Sequence, residues 1–389
     1  MLREHGIYER RLLMRQPGFG IVEKLWAIPW LFVLLLCGVA GVGYVALLSA
    51  GNGAAELYAS RHALRFGFGL VLMLSLCLVD IRFIARFAWL GYAAGVALLV
   101  LVLVAGNVGK GAQRWIDVGP VQIQPSELMK IMLVLGLAAW FRRASWERMG
   151  NPLFLVPPAL AVLVPVALIL KQPNLGTALI TGMLGAAMFW AAGVRWWTFA
   201  ILFAGVGFAA PIAYERLHDY QRARITTFLD PESDPLGAGY NIIQSKIALG
   251  SGGLWGKGFL QGTQGHLNFL PEKQTDFIFT MIAEEFGLVG ALGTLGLLAL
   301  VIAFAMLTAL RCRHQFGRLL ALGLGVNFFL YVFVNIAMVT GSIPVGGVPL
   351  PLISHGGSAM ITVMLGFGLL GSAYVHRDAE FAGPQEGAG

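Results

Sequence analysis

The sequence predicts an all-α protein that crosses a membrane about ten times, and three observations carry that prediction. Hydrophobic residues fill 57% of the 389 positions against 12% charged, with a mean hydropathy of +0.75, more apolar surface than a soluble core of this length hides. Apolar runs recur at roughly the 17–25 residues that cross about 30 Å of hydrocarbon at 1.5 Å per residue. Basic residues gather in alternate connections between those runs, as membrane topology requires.

Taken in order, the spans fall near residues 28–50, 62–79, 84–105, 128–141, 153–170, 176–193, 196–213, 277–310, 318–341 and 359–375. The first reads as an uncleaved span, because the basic segment before it lacks the short apolar stretch and cleavage site of a secretory signal. The fourth is short, and the eighth is long enough to tilt or to project beyond the bilayer. No room remains for a separate soluble domain, so residues 1–389 read as one membrane domain. It comprises an N-terminal segment 1–27, a large loop 214–276 and a tail 376–389.

Fifteen of the 27 Lys and Arg residues, among them Arg3, Arg10, Arg82, Arg86, Arg142 and Arg313, fall on one side of a ten-span chain. The short connections of the other side and their flanks hold Arg61, Arg65, Lys110, Arg114, Lys130 and Lys171. The positive-inside rule therefore places both termini in the cytoplasm and the 214–276 loop outside. The net charge of +7 is explained by topology and implies no nucleic acid, since it forms no single patch. Cys37, Cys77 and Cys312 make neither a disulfide framework nor a CxxC metal site.

The long loop and the start of the eighth span hold nine of the twenty carboxylates: Glu215, Asp219, Asp230, Glu232, Asp234, Glu272, Asp276, Glu284 and Glu285. A connection of that length in a tight bundle is usually functional or disordered. The apolar stretch from Ile242 to Leu249 and the anchors Tyr220, Tyr240, Trp255 and Phe259 favour amphipathic helices on the membrane surface. Gly250 to Gly258 superficially resembles a phosphate loop. It lacks Gly where Ser251 stands and Ser or Thr where Gly258 stands, which favours a plain glycine-rich turn.

Leu270 to Phe277 leads into the eighth span. Thr275 or Asp276 is placed to cap that helix, and the same position holds a carboxylate at the mouth of any cavity between helices. Glu284 and Glu285 lie roughly 12 Å deeper along the helix, where a carboxylate is either functional or part of a buried ion pair. On the same side, Gln124-Pro125-Ser126-Glu127 opens the fourth span. Glu127 and Lys130 share a helix face at i,i+3, either as an interfacial ion pair or as part of an anion site with Arg114. Gly341 to Ser358 is uncharged and dense in Gly and Pro, as expected of a re-entrant segment lining a cavity, with Asn335 facing inward before it.

These residues resemble the SEDS family (shape, elongation, division and sporulation). The carriers are Gln124-Pro125-Ser126-Glu127 with Lys130, Asp230 to Pro235, Thr275-Asp276-Phe277-Ile278-Phe279 followed by Glu284-Glu285, Asn335, Pro344 to Val348, and Ser354 to Ala359. Gly262-Thr263-Gln264 ahead of Leu270-Pro271-Glu272 resembles the elongation branch, typified by RodA, more than the division branch. Three positions depart from the pattern: His355 stands where Tyr is usual, Gln274 where His is usual, and Asn174 where Asp is common.

The resemblance implies a peptidoglycan glycosyltransferase that polymerises lipid II on the outer face of the cytoplasmic (inner) membrane during elongation and shape maintenance, releasing undecaprenyl pyrophosphate. It implies Asp276 as catalytic base, Arg114 and Lys130 at phosphate, Glu127 holding Lys130, and Glu284, Glu285, Asn335, Ser354 and Ser358 supporting the cavity. A divalent cation, magnesium or manganese, is the candidate cofactor, with no nucleotide. Expected partners are a class B penicillin-binding protein, other membrane proteins of the elongation complex, and membrane lipids. Two other readings stay open: a flippase of lipid II, suggested by buried Glu284 and Glu285 beside a broken segment, and a non-catalytic scaffold of the cell-wall complex.

Overall fold

The computed structural model describes residues 20–381 apart from 110–111, 119–120, 143, 145–146, 216–221, 223–225, 229, 231–237, 267–271 and 345. Lys110, Asp219, Glu232 and Asp234 lie outside the described residues, as do most of the N-terminal segment and the end of the tail.

A short helix α1 (Ile21–Ala27) precedes ten long ones: α2 (Trp30–Ala50), α3 (Ala59–Cys77), α4 (Ile81–Ala105), α5 (Pro125–Phe141), α6 (Pro152–Lys171), α7 (Leu175–Ala191), α8 (Trp196–Glu215), and then, beyond the long loop, α11 (Ile278–Arg311), α12 (Gln315–Val339) and α13 (Gly357–Val375). Within that loop lie α9 (Ala238–Ser251) and α10 (Thr263–His266). Every expected span is present as a helix. Among the described residues six are long and apolar enough to cross a membrane by length and composition, and α7 is a shorter apolar helix.

Burial sorts the helices into a centre and a rim. The most apolar windows of α12 and α13 are 72% and 78% buried, whereas those of α4 and α6 are 22% buried. Those two present most of their apolar surface outward, as lipid-facing helices do. Helix α12 packs on α5, α7, α11 and α13, and its Asn327, Tyr331 and Asn335 are buried.

Three features go beyond the sequence expectation. First, a small antiparallel meander, β1 (Asn107–Gly109), β2 (Ala112–Val118) and β3 (Val121–Ile123), joins α4 to α5 in the order β1-β2-β3. Two of its strands are only three residues long, and the meander packs against the neighbouring helices α4, α5 and α13.

Second, α9 docks on α11 and α12 and does not simply lie on the membrane surface. Gly239, Ile242, Ser245 and Ala248 form its buried stripe, and the Ser245 hydroxyl donates to the Val339 carbonyl at 2.7 Å and lies 2.9 Å from the Thr280 hydroxyl.

Third, α11 is broken at Gly287 (φ 65°, ψ −162°). The glycine-rich segment after α9 fills the break. Lys257 and Gly258 donate their N–H groups to the carbonyls of Glu284 and Glu285, both at 3.0 Å, and Leu288 and Val289 donate to Gly253 and Leu254. Glycine is needed because a Cβ on Gly252 or Gly256 would stand 2.1 Å from the Ala283 or Glu285 carbonyl oxygen. The stretch that resembles a phosphate loop therefore uses two N–H groups and two carbonyls to repair a helix.

The segment between α12 and α13 re-enters the bundle as expected. Val348, Leu350, Leu352 and Ile353 are buried, and its backbone finds partners inside protein: Ser354 N–H donates to the Leu350 carbonyl at 2.9 Å, and Leu350 N–H donates to Ser354 Oγ at 2.8 Å. Irregular backbone within a bundle is tolerated on those terms.

Candidate active site

Asp276 lies in the turn just ahead of α11, half-buried, at the meeting point of three elements. The side-chain amide of Asn335 on α12 donates to the Asp276 carbonyl at 2.9 Å and to the Val348 carbonyl of the re-entrant segment at 2.7 Å. Ser354 Oγ donates to the Thr275 carbonyl at 2.5 Å, and His355 N–H donates to the Gln274 carbonyl at 2.8 Å. The main chain at 274–276 is thus bonded at three consecutive residues by groups from α12 and the re-entrant segment.

Asp276 directly precedes the helix boundary. Phe277 is the N-cap of α11, which has no side-chain cap bond, and the Thr275 hydroxyl donates back to Glu272. Gly347 (φ 66°) faces Asp276, and a Cβ there would stand 3.7 Å from Asp276 Oδ2. That is ordinary contact, so it is the positive φ at 347 that favours glycine there.

A buried polar triad occupies the neighbouring helices. Lys130 Nζ lies 2.7 Å from Glu127 Oε1, with side chains 1% and 8% exposed. The Tyr331 hydroxyl, from α12, donates to Glu127 and accepts from Lys130. Tyr331 sits one turn before Asn335, so α12 engages both the triad and the Asp276 turn from one face.

The chain matches the FtsW/RodA/SpoVE cell cycle protein family over residues 25–379. It belongs to that family. Peptidoglycan glycosyltransferase MrdB of Escherichia coli K12 is 42% identical over 360 residues, covering 91% of this chain and 95% of that protein. A probable peptidoglycan glycosyltransferase FtsW of E. coli O6:H1 is 36% identical over 339 residues, 84% of this chain and 81% of that one. Among solved structures, a chain from a peptidoglycan synthase complex, described as structurally coordinating polymerization and crosslinking, has a TM-score of 0.79 at 34% identity, covering 91% of this chain and 99% of that one. The rod shape determining protein RodA of Thermus thermophilus has a TM-score of 0.69 at 30% identity, with 91% and 98% covered.

In this FtsW/RodA/SpoVE member the remaining expected residues take distinct places. Arg114, on β2, donates Nε to the Gln172 carbonyl at 3.1 Å and an Nη to the Pro173 carbonyl. It clamps the turn into α7, whereas Lys130 is turned toward α12. Asn174 caps α7, its side chain accepting from Thr177 N–H at 3.4 Å, a role an uncharged amide fills as well as a carboxylate. Glu284 accepts from Lys257 at 2.7 Å, Thr263 at 3.1 Å and Gln264 N–H at 3.1 Å, while Glu285 accepts from Ser49 of α2. Both hold the loop and bundle around the break in α11. Ser358 is buried in the first turn of α13.

Sequence reasoning did not single out Tyr331. Its signal was a phenol four residues before Asn335 in an apolar span, which places both on one helix face. Arg65 was counted only as a topology residue. It lies 3.4 Å from His355 Nε2, and the Tyr58 ring packs edge-on to His355 at 5.2 Å. Burial, then Arg65 and Arg61, hold the His355 imidazole down to about 4. Burial also lowers the Lys273 ammonium, which donates to the Gly265 carbonyl at 2.7 Å.

Among the described residues no three His, Cys, Asp or Glu side chains gather as a metal cage. A magnesium-type site needs only one or two carboxylates when a substrate phosphate supplies other oxygens. Asp276 supplies one such carboxylate.

Proposed function

We propose that this chain polymerises lipid II at the Asp276 site, on the outer face of the cytoplasmic membrane, during elongation and shape maintenance. It is a peptidoglycan glycosyltransferase of the FtsW/RodA/SpoVE family, as its 42% identity to E. coli MrdB over 91% of the chain supports. The observation that carries the site assignment is the fixed backbone at 274–276, which sets the half-buried Asp276 where α12, the re-entrant segment and the start of α11 meet.

In the proposed step a sugar hydroxyl attacks the anomeric carbon of a second lipid-linked sugar. Asp276 takes the hydroxyl proton, the new glycosidic C–O bond forms, and the bond to the pyrophosphate oxygen breaks with its electron pair leaving on undecaprenyl pyrophosphate. Bonds to three consecutive residues hold the base in register, which suits a group that must meet one hydroxyl. Arg114 and Lys130 are the proposed source of positive charge for the leaving group, with Glu127 and Tyr331 setting the position of Lys130. A divalent cation held by Asp276 would supply further charge neutralisation at the phosphates.

Both termini are assigned to the cytoplasm by the charge pattern. A class B penicillin-binding protein is the proposed partner, consistent with the likeness to a chain from a complex that coordinates polymerization and crosslinking. The flippase alternative loses the part of its motivation that rested on Glu284 and Glu285, because both are bonded into the loop and bundle.

The test is glycan-chain formation from purified lipid II by wild type and by Asp276→Asn. The expected result is loss of polymer by at least the 10²-fold that general base catalysis contributes, with thermal stability retained. Near-normal polymer from a folded Asp276→Asn protein removes Asp276 from the base role.

A further inference from the structure

At the end of the bundle away from the 214–276 loop, α4, α5 and α6 leave a cavity of about 480 Å³ lined by Arg82, Ala85, Arg86, Trp89, Ala139, Trp140, Arg142 and Phe154. We propose that this cavity binds the headgroup of an anionic phospholipid, with the apolar wall against the first part of its chains. The proposal stands independently of the glycosyltransferase site.

Three observations converge. The volume lies in the range of sites that hold small molecules, about 300–1,000 Å³. Its α4 wall is a single stripe, Arg82, Ala85, Arg86 and Trp89, spaced i, i+3, i+4 and i+7, so cations and indole share one face. Ala85 and Ala139 are the small residues in the lining, while Trp89 and Trp140 stand edge to face at 6.0 Å and Trp140 tilts against Phe154 at 5.4 Å.

Charge is what selects the occupant. Arg82 is paired with Asp80 at 3.3 Å, and Arg142 lies over the Phe381 ring at 5.4 Å. Among the described residues no carboxylate pairs with Arg86, whose guanidinium lies 5.9 Å from the Phe87 ring centre. Trp140 also has its indole N–H buried without an acceptor. Guanidiniums bind phosphate through forked N–H groups, and indoles favour the membrane interface. A site that is cationic at one end and aromatic along its wall, on helices whose apolar surface faces lipid, matches a diacyl phosphate ester and not a soluble anion.

The experiment is native mass spectrometry of the full chain in detergent, offered phosphatidylglycerol or phosphatidylcholine, together with thermal shifts on adding each lipid or inorganic phosphate. Wild type is expected to retain phosphatidylglycerol over phosphatidylcholine and to be stabilised by it. Arg86→Gln with Arg142→Gln weakens retention by about fivefold per arginine. Ala139→Phe, which fills the cavity and keeps every charge, loses the lipid as well, and each variant's melting transition checks that it folds.

Equal retention of the two lipids, or wild-type retention by the double variant, overturns the proposal. So does Ala139→Phe binding phosphatidylglycerol like wild type, which would assign the effect to surface charge alone. Stabilisation by inorganic phosphate equal to that by the lipid would make this a soluble-anion site and overturn it too.

Discussion

The side-chain amide of Asn335 donates to the main-chain carbonyl of Asp276 at 2.9 Å, so a buried residue near the C-terminal end of α12 fixes the backbone beneath the proposed base. The same amide holds Val348 at 2.7 Å. One side chain therefore couples α12, the re-entrant segment and the start of α11.

Asn335→Leu removes both bonds and leaves two carbonyls to find new donors. The expected cost is about 1–3 kcal/mol for each carbonyl left unpaired, read as a lower melting temperature in detergent. Polymer yield should fall further than the loss of folded protein explains. Unchanged yield per folded molecule would show that the Asp276 turn keeps its position without Asn335.

The Glu127–Lys130–Tyr331 triad predicts a particular ordering of variants. Lys130→Met strands a carboxylate in the bundle and should cost about 3–5 kcal/mol, whereas Glu127→Gln with Lys130→Met should cost less than the single change. Tyr331→Phe removes two hydrogen bonds to charged groups, each worth about 1.5–3 kcal/mol. Melting of the four proteins checks the order, and a double variant worse than Lys130→Met would contradict the pairing.

Gly252 and Gly250 separate close approach from simple flexibility. A Cβ on Gly252 would stand 2.1 Å from the Ala283 carbonyl oxygen, while one on Gly250 meets nothing within 4 Å. Gly252→Ala should destabilise by at least about 1–3 kcal/mol through forced backbone shifts. Gly250→Ala, inside α9, should be neutral or gain about 0.5–1 kcal/mol. Equal melting temperatures for the two variants would mean that the segment does not plug the break at Gly287.

His355 predicts a pH dependence. Its imidazole is held down to about 4 from an ordinary 6.5, so the folded chain prefers the neutral ring. Between those values the unfolded chain binds a proton that the folded chain refuses. Stability is therefore whole above pH 6.5 and declines as pH falls toward 4. His355→Gln should flatten that decline in melting temperature, and a slope equal to wild type would exclude this residue as the source.

Much of the architecture was legible because it rests on local physics. Each span announces itself as an apolar run, and the ten helices fall within a few residues of the expected limits. The Glu127–Lys130 pair was legible from its i,i+3 spacing, and the re-entrant segment from its lack of charge and its many Gly and Pro residues. Arg114 shows where such reading stops: its spacing in sequence says nothing of the Gln172 and Pro173 carbonyls, 58 and 59 residues away, that receive it. The strands around it were equally hidden, since three-residue strands carry little pattern of their own.

By itself the sequence determined that this is a membrane protein of many apolar helices, where those helices fall in the chain, and which acidic residue stands at the start of the eighth. Those properties follow from hydropathy, loop charge and helical rise, all of which act between near neighbours. Tertiary structure alone decided that Tyr331 completes the Glu127–Lys130 pair, that Asn335 grips the Asp276 backbone, and that the glycine-rich segment mends α11. Each of these is a contact between groups far apart in the chain, and it forms only when packing removes both partners from other donors and acceptors.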